Sequence, residues 1–113
     1  MSDYRIERIS EERLKDLIQL YKASFGKTYP INYLKNKFNT QYTGVSFVGY
    51  LAYDPAGQPA AYYGVFPCHI RYNGRQILSA QSGDTMTHPA HQGKGLFTKL
   101  AKLTYELAKE LNI

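Results

Sequence analysis

Gln92-Gly93-Lys94-Gly95 stands directly before an amphipathic helical pattern, and that placement gives the segment chemistry. The first turn of a helix carries backbone N–H groups that lack intrahelical acceptors and point outward with the positive end of the dipole. No Ser, Thr, Asp or Asn lies within the four residues before Gly95 to cap them, so an external anion is a fitting acceptor. Glycines let a bulky diphosphate approach the backbone and tolerate positive φ. On the two glycines alone, an ordinary strand-to-helix loop is the simpler reading. Lys94 suits either a phosphate contact or a solvated surface.

Two rival phosphate motifs are excluded. A P-loop needs Gly-Lys followed by Ser or Thr, and here Lys94 is followed by Gly95. A dinucleotide fingerprint needs a third glycine at position 98, which is Thr98, and it normally follows the first strand of a parallel sheet. Asp84 reads most simply as a carboxylate that bonds its own Ser82-Gly83 turn region. His88 and His91 are three residues apart, but Pro89 between them spoils a one-face helical metal pair, and no metal is expected. Ser79, Ser82 and His69 lack the nucleophile elbow of a hydrolase. Cys68, the only cysteine, lies in an apolar run and reads as a buried thiol rather than a nucleophile.

The elements that must position this turn are legible in the periodicity. Tyr4 to Ile9 alternates as a short strand. Ser10 offers an N-cap to a helix with Leu14, Leu17, Ile18, Tyr21 and Phe25 on one side and Gly26 as its stop. A shorter helix is expected from Ile31 to Phe38. Phe47 to Tyr53 reads as a strand, Asp54 to Gly57 as a turn, and Ala60 to Tyr72 as a second strand interrupted near Pro67. Asn73-Gly74 calls for a type I′ hairpin with Tyr72 opposite Arg75 and Ile70 opposite Ile77. A third strand of this meander then runs from Arg75 towards His88. The final helix places Leu96, Leu100, Leu103, Leu107 and Leu111 on one face, joined by Ala101 and Ala108. The fold class is α+β.

With 113 residues the chain is at most one small domain. Its net charge of +5 suits a phosphorylated small molecule, an anionic surface or nucleic acid, but no nucleic-acid motif accompanies it. One cysteine permits no intramolecular disulfide, the N-terminus lacks the apolar core of a signal peptide, and no apolar run approaches a membrane span. A cytoplasmic protein with neither nucleic-acid nor membrane partners is expected. Eleven tyrosines suit sheet packing or the border of a cleft.

Thr87-His88-Pro89-Ala90-His91-Gln92-Gly93-Lys94-Gly95-Leu96-Phe97-Thr98 resembles the coenzyme A signature of the GNAT N-acetyltransferase superfamily. That signature runs from the fourth strand through Gln/Arg-x-x-Gly-x-Gly/Ala into the third helix. Gln92 and Gly95 match its first two fixed positions, while the third, usually Gly or Ala, is Phe97. The resemblance implies a GNAT-like fold and an acyl-CoA-dependent N-acyltransferase, with acetyl-CoA as donor and an unidentified amine as acceptor. It implies that backbone groups of Thr85, Met86 and Thr87 run beside the pantetheine arm. The N–H groups of Gly93, Lys94, Gly95, Leu96, Phe97 and Thr98, after Gln92, would cradle the diphosphate. A base, for which Asp84 is the candidate, or a water chain would take the ammonium proton. The alternative is a non-catalytic coenzyme A-binding or interaction module of the same fold. Compared with the family, residues 1–113 correspond to the N-terminal portion of one domain, which predicts self-association through an open strand edge.

Overall fold

The computed structural model describes residues 3–113; of Asp84 it describes the backbone alone. Strand β1 (Arg5–Arg8) leads through a 3-10 turn into α1 (Leu14–Phe25), and α2 (Ile31–Lys37) follows. Three strands come next, β2 (Val48–Tyr53), β3 (Pro59–Tyr72) and β4 (Arg75–Thr87), and α3 (Leu96–Glu110) closes the fold. The sheet is antiparallel throughout in the order β1-β2-β3-β4, so each strand neighbours the next in sequence.

Alternation along the strands divides the core into two layers. Leu51, Tyr53, Tyr62 and Met86 face α1 and α2, where they meet Leu14, Leu17, Leu20, Tyr21 and Leu34. Ala52, Ala61, Tyr63 and Val65 face the other way, against Leu96, Leu100, Ala101 and Leu107 of α3. A fully buried side chain of this size contributes about 1.5–3 kcal/mol, so each helix is held by its apolar stripe. Thr104 lies within that stripe and is fully buried; its hydroxyl donates to the carbonyls of Leu100 and Tyr63.

Local signals decide the boundaries. Gly26 ends α1 in the left-handed region, at φ 71°, with its N–H on the Lys22 carbonyl. Asn73 and Gly74 both have positive φ, and the hairpin pairs Tyr72 with Arg75 and Ile70 with Ile77, as the sequence requires. Ser10, by contrast, makes no side-chain cap: the chain enters α1 through the 3-10 turn Glu11–Arg13. Pro67 does not interrupt β3. It pairs with Ala80, five steps from the hydrogen-bonded pair that closes the hairpin. Those pairs alternate, so Pro67 occupies a non-hydrogen-bonded position where the missing N–H removes no ladder bond.

Beyond Val65, β3 has β4 as its only partner among the described residues, and the hairpin projects as an arm. The molecule measures 48 × 30 × 20 Å. Cys68 lies on this arm and is half-buried, not buried. No helix of the described residues is long and apolar enough to cross a membrane.

The ladder breaks between Tyr63 and Val65. Tyr63 pairs with Thr85 and Val65 with Ser82, so Gly83 and Asp84 together oppose Gly64. This is a β-bulge, which bends the strand and re-aims its side chains. Glycine is required on both sides of it. A Cβ on Gly83 would collide with the Phe66 ring, and one on Gly64 with the Tyr62 hydroxyl and ring.

Candidate functional site

The site begins where β4 leaves the sheet. The His88 N–H donates to the Ala60 carbonyl at 2.8 Å, pinning the end of β4 to the start of β3. One 3-10 turn, Pro89–His91, follows, and the His88 Nδ1 accepts from the Ala90 N–H at 3.0 Å. Gln92 is extended; Gly93 and Gly95 then take φ values of 77° and 75°. A Cβ on either glycine would meet nothing within 4 Å, so backbone conformation rather than crowding demands glycine, and the space over the turn is open.

Gly95 is the N-cap residue of α3, and no side chain bonds the helix end. The first α3 donor with a backbone acceptor is Lys99, bonded to the Gly95 carbonyl at 3.2 Å. The N–H groups of Leu96, Phe97 and Thr98 precede it and belong to the open first turn. The side chains of Gln92, Lys94 and Thr98 are exposed, whereas Leu96 is buried and fixes the helix start to the sheet. This geometry can hold an anion of phosphate type on backbone donors.

His91 locks the turn to two other elements. The Tyr4 hydroxyl and His91 Nδ1 are 2.7 Å apart, and His91 Nε2 lies 3.5 Å from Asp54 Oδ2 in the β2–β3 turn. The Asp54 carboxylate also accepts from the N–H groups of Ala56 and Gln58, both at 2.9 Å. The bond from Gln58 most of all, then that from Ala56 and the His91 ring, hold its pKa below the ordinary 3.8. A depressed carboxyl pKa stabilises the fold above the unfolded value and loses that contribution as pH falls through the folded value. Asp54→Asn should therefore be less stable than wild type at neutral pH, with the gap narrowing below pH 3.8 and closing in stronger acid. Denaturant midpoints across pH 2–7 check this (roughly the carboxylate range); a gap constant with pH contradicts it.

Along the outer edge of β4, Thr85 and Thr87 sit opposite Tyr63 and Ala61 and so share the α3 face, while Met86 is buried on the α1 face. That edge has no strand partner among the described residues. Since His88 is bonded to Ala60 and hydrogen-bonded pairs alternate, Thr85 and Thr87 turn their backbone groups to the open edge, while those of Met86 turn to Tyr62 of β3. The side chain of Asp84 lies outside the described residues; its backbone forms the bulge. Lys37 Nζ sits 5.7 to 5.9 Å from the ring centroids of Phe66, Tyr21 and Tyr33 on the α1 side.

Two groupings escaped the sequence. The first is the Tyr4–His91–Asp54 lock, whose partners are remote in the chain. The second is a hydroxyl chain: Tyr63 Oη lies 2.7 Å from Ser82 Oγ and 2.8 Å from Tyr105 Oη. Phe97, at the odd position of the signature, sets its ring edge-on to Tyr63, with centroids 5.4 Å apart. Phe97, Ala101 and Tyr105, with the stems of Lys102 and Lys109, line a shallow groove of about 500 Å³ beside this chain. His69 instead meets the Gln76 side chain, so Ser82 and His69 form no triad. Among the described residues no group of three or more His, Cys, Asp or Glu side chains is placed to hold a metal ion.

A family model described as an acetyltransferase (GNAT) domain matches residues 5–113. A GCN5-related N-acetyltransferase from Kribbella flavida superposes with a TM-score of 0.76 at 17% identity, over 98% of this chain and 28% of that one. Saccharomyces cerevisiae N-myristoyltransferase with bound myristoyl-CoA gives 0.83 at 14% identity, over 100% of this chain and 29% of that one. An aminoglycoside antibiotic 6'-N-acetyltransferase from Acinetobacter baumannii gives 0.69 at 22% identity, over 96% and 73%. At these identities the likeness is one of fold. The chain spans less than a third of the length of the first two proteins. No curated protein matches it in sequence.

Proposed function

This chain belongs to the GNAT acetyltransferase family, and from that premise we propose that it binds an acyl-CoA, acetyl-CoA foremost, and serves acyl transfer to an amine. The observation that carries the proposal is the uncapped start of α3, entered through Gly93 and Gly95 at positive φ, at the end of a strand whose outer edge is open.

The thioester supplies an activated acyl carbon, and the residues supply its placement. Donors from Gly93 to Thr98 would hold the diphosphate, each helix-end contact worth about 0.3–1 kcal/mol and up to ~2 where partly buried. Lys94 adds a positive charge on the same turn. The edge of β4 from Thr87 back to Thr85 would pair with the amide groups of the pantetheine arm, as an added strand would. The thioester then falls at the bulge, where Asp84 is the proposed base for the amine. Bond formation between nitrogen and the acyl carbon releases coenzyme A as thiol.

Thiol release from acetyl-CoA across a panel of amines tests transfer, and calorimetry with acetyl-CoA tests binding. Amine-dependent release supports the proposal; tight binding without release for any amine favours the non-catalytic module. Calorimetry with a nonspecific duplex, for which the charge of +5 gives the only argument, should show no comparable heat. An acyl-CoA-dependent enzyme of this kind would act in the cytoplasm.

In the absence of coenzyme A, self-association through the open edge of β4 is part of the same proposal, since unpaired N–H and C=O groups template pairing with another chain. Sedimentation over a hundredfold concentration range (on the order of micromolar upward) should show a concentration-dependent dimer. A strictly monomeric boundary throughout would contradict it.

A further inference from the structure

Three hydroxyls link the solvent to the bulge of β4. Tyr105 is 58% exposed on the outer side of α3, Tyr63 is buried at 3%, and Ser82 is exposed on β4 immediately before the bulge. The contacts at 2.8 and 2.7 Å make an unbroken hydrogen-bonded series from Tyr105 through Tyr63 to Ser82. Rings of Phe97 and Tyr105 each meet the Tyr63 ring edge-on, fixing the direction of its hydroxyl. The bond to Tyr63 also raises the pKa of the Tyr105 phenol.

The reach of the donor brings its sulfur to this series, an argument that rests on the coenzyme A reading above. The pantetheine arm has about a dozen backbone bonds, the span of roughly four extended residues at ~3.3–3.6 Å each. Counted back from Thr87, at the diphosphate end, that distance ends at Gly83, next to Ser82. We propose that Ser82 is the catalytic acid that protonates the departing sulfur, with Tyr63 and Tyr105 as positioning residues that resupply its proton.

The step balances. The amine nitrogen bonds the acyl carbon, the carbon–sulfur bond breaks, and its electron pair goes to sulfur. Sulfur takes the Ser82 hydroxyl proton; Ser82 takes one from Tyr63, Tyr63 from Tyr105, and Tyr105 from water. The amine loses its surplus proton through Asp84, the proposed base, to solvent, so amide and thiol form with no net change in charge.

Hydroxyl donors aimed at sulfur also stabilise the thiolate of bound coenzyme A, and this can be read without turnover. Ultraviolet titration of the coenzyme A complex, less that of the desulfo-coenzyme A complex, reports thiolate alone and cancels the tyrosines. For wild type the thiol should ionise about one pH unit below free coenzyme A, a tenfold higher thiolate fraction. Ser82→Ala should abolish that shift, Ser82→Thr should retain it, and Tyr63→Phe should reduce it. None of these changes removes buried apolar volume, so the fold and coenzyme A affinity should persist. Binding with the same thiol ionisation in wild type and Ser82→Ala overturns the relay and leaves the donor site standing. Failure of wild type to bind coenzyme A overturns the donor site and the relay with it.

Discussion

Gly95→Pro should reduce coenzyme A affinity by at least about 30-fold, the equivalent of ~2 kcal/mol for a helix-terminus anion site. Gly95 takes φ 75°, and proline is locked near −65°, so the substituted turn cannot keep its path. Proline also removes one N–H from the set that faces the open space above the turn. The α3 helix itself depends little on this residue for contacts, since a Cβ there meets nothing within 4 Å. Gly95→Ala separates the two causes, keeping the N–H and costing about 1–2 kcal/mol for the left-handed conformation. Lys94→Ala, on an exposed side chain, should do less than either. Calorimetry on the three variants, with circular dichroism to show α3 intact, gives the ranking; equal affinity for Gly95→Pro and wild type would remove the turn as the site.

Gly64→Val should be the most damaging single change to stability. Gly64 and Gly49 are partners across β2 and β3, and the Tyr62 ring lies over both. A Cβ on Gly49 would stand 2.7 Å from the Tyr62 hydroxyl, 2.8 Å from the Gly64 Cα and 2.9 Å from the Tyr63 carbonyl. On Gly64 the clash is with the Tyr62 hydroxyl and ring, and Tyr62 is 2% exposed. A buried ring pressed against backbone has nowhere to move. Overpacking typically costs about 1–3 kcal/mol, and valine adds two further methyls to the collision. The melting temperature should fall by roughly 10 °C or more, at ~4 °C per kcal/mol for a domain of this size. An unchanged melting temperature would mean that the sheet relaxes around Tyr62 in a way this packing does not allow.

The hairpin shows how far sequence reading reaches. Asn73-Gly74 announces its turn type, and the turn alone sets the register of β3 on β4 as far as Val65 and Ser82. Past that point counting fails by one residue. Continued unbroken, the register would place Met86 opposite Ala61 on the α3 face; the bulge places it opposite Tyr62, in the α1 core. A one-residue slip exchanges the two faces of a strand. Thr85 and Thr87 thereby take the α3 face that the unbroken ladder would give Met86. Gly64 and Gly83 were the available signal, since isolated glycines in strands often mark bulges. Nothing in their spacing says which strand carries the extra residue.

The diphosphate turn was legible because its chemistry is local: two glycines, no capping side chain and a leucine stripe, all within consecutive residues. The His91 lock and the Ser82–Tyr63–Tyr105 series were not, because each joins residues brought together only by the fold. Phe97 looked like a departure from the signature; in the structure it stacks edge-on against Tyr63 and walls the groove beside α3. Thr104 broke the leucine pattern without weakening the helix, because both of its bonds are made inside the core.

In the proposed coenzyme A site the backbone from Gly93 to Thr98 receives the diphosphate of an acyl-CoA. Amide chemical shifts of the isotopically labelled protein, titrated with coenzyme A, test it most directly. The largest shifts are expected at the amides of Gly93 through Thr98, with smaller ones along Thr85–Thr87 and little change at the Asn73-Gly74 turn at the far end of the hairpin. Saturable binding that leaves the amides of Gly93 through Thr98 unmoved would contradict it.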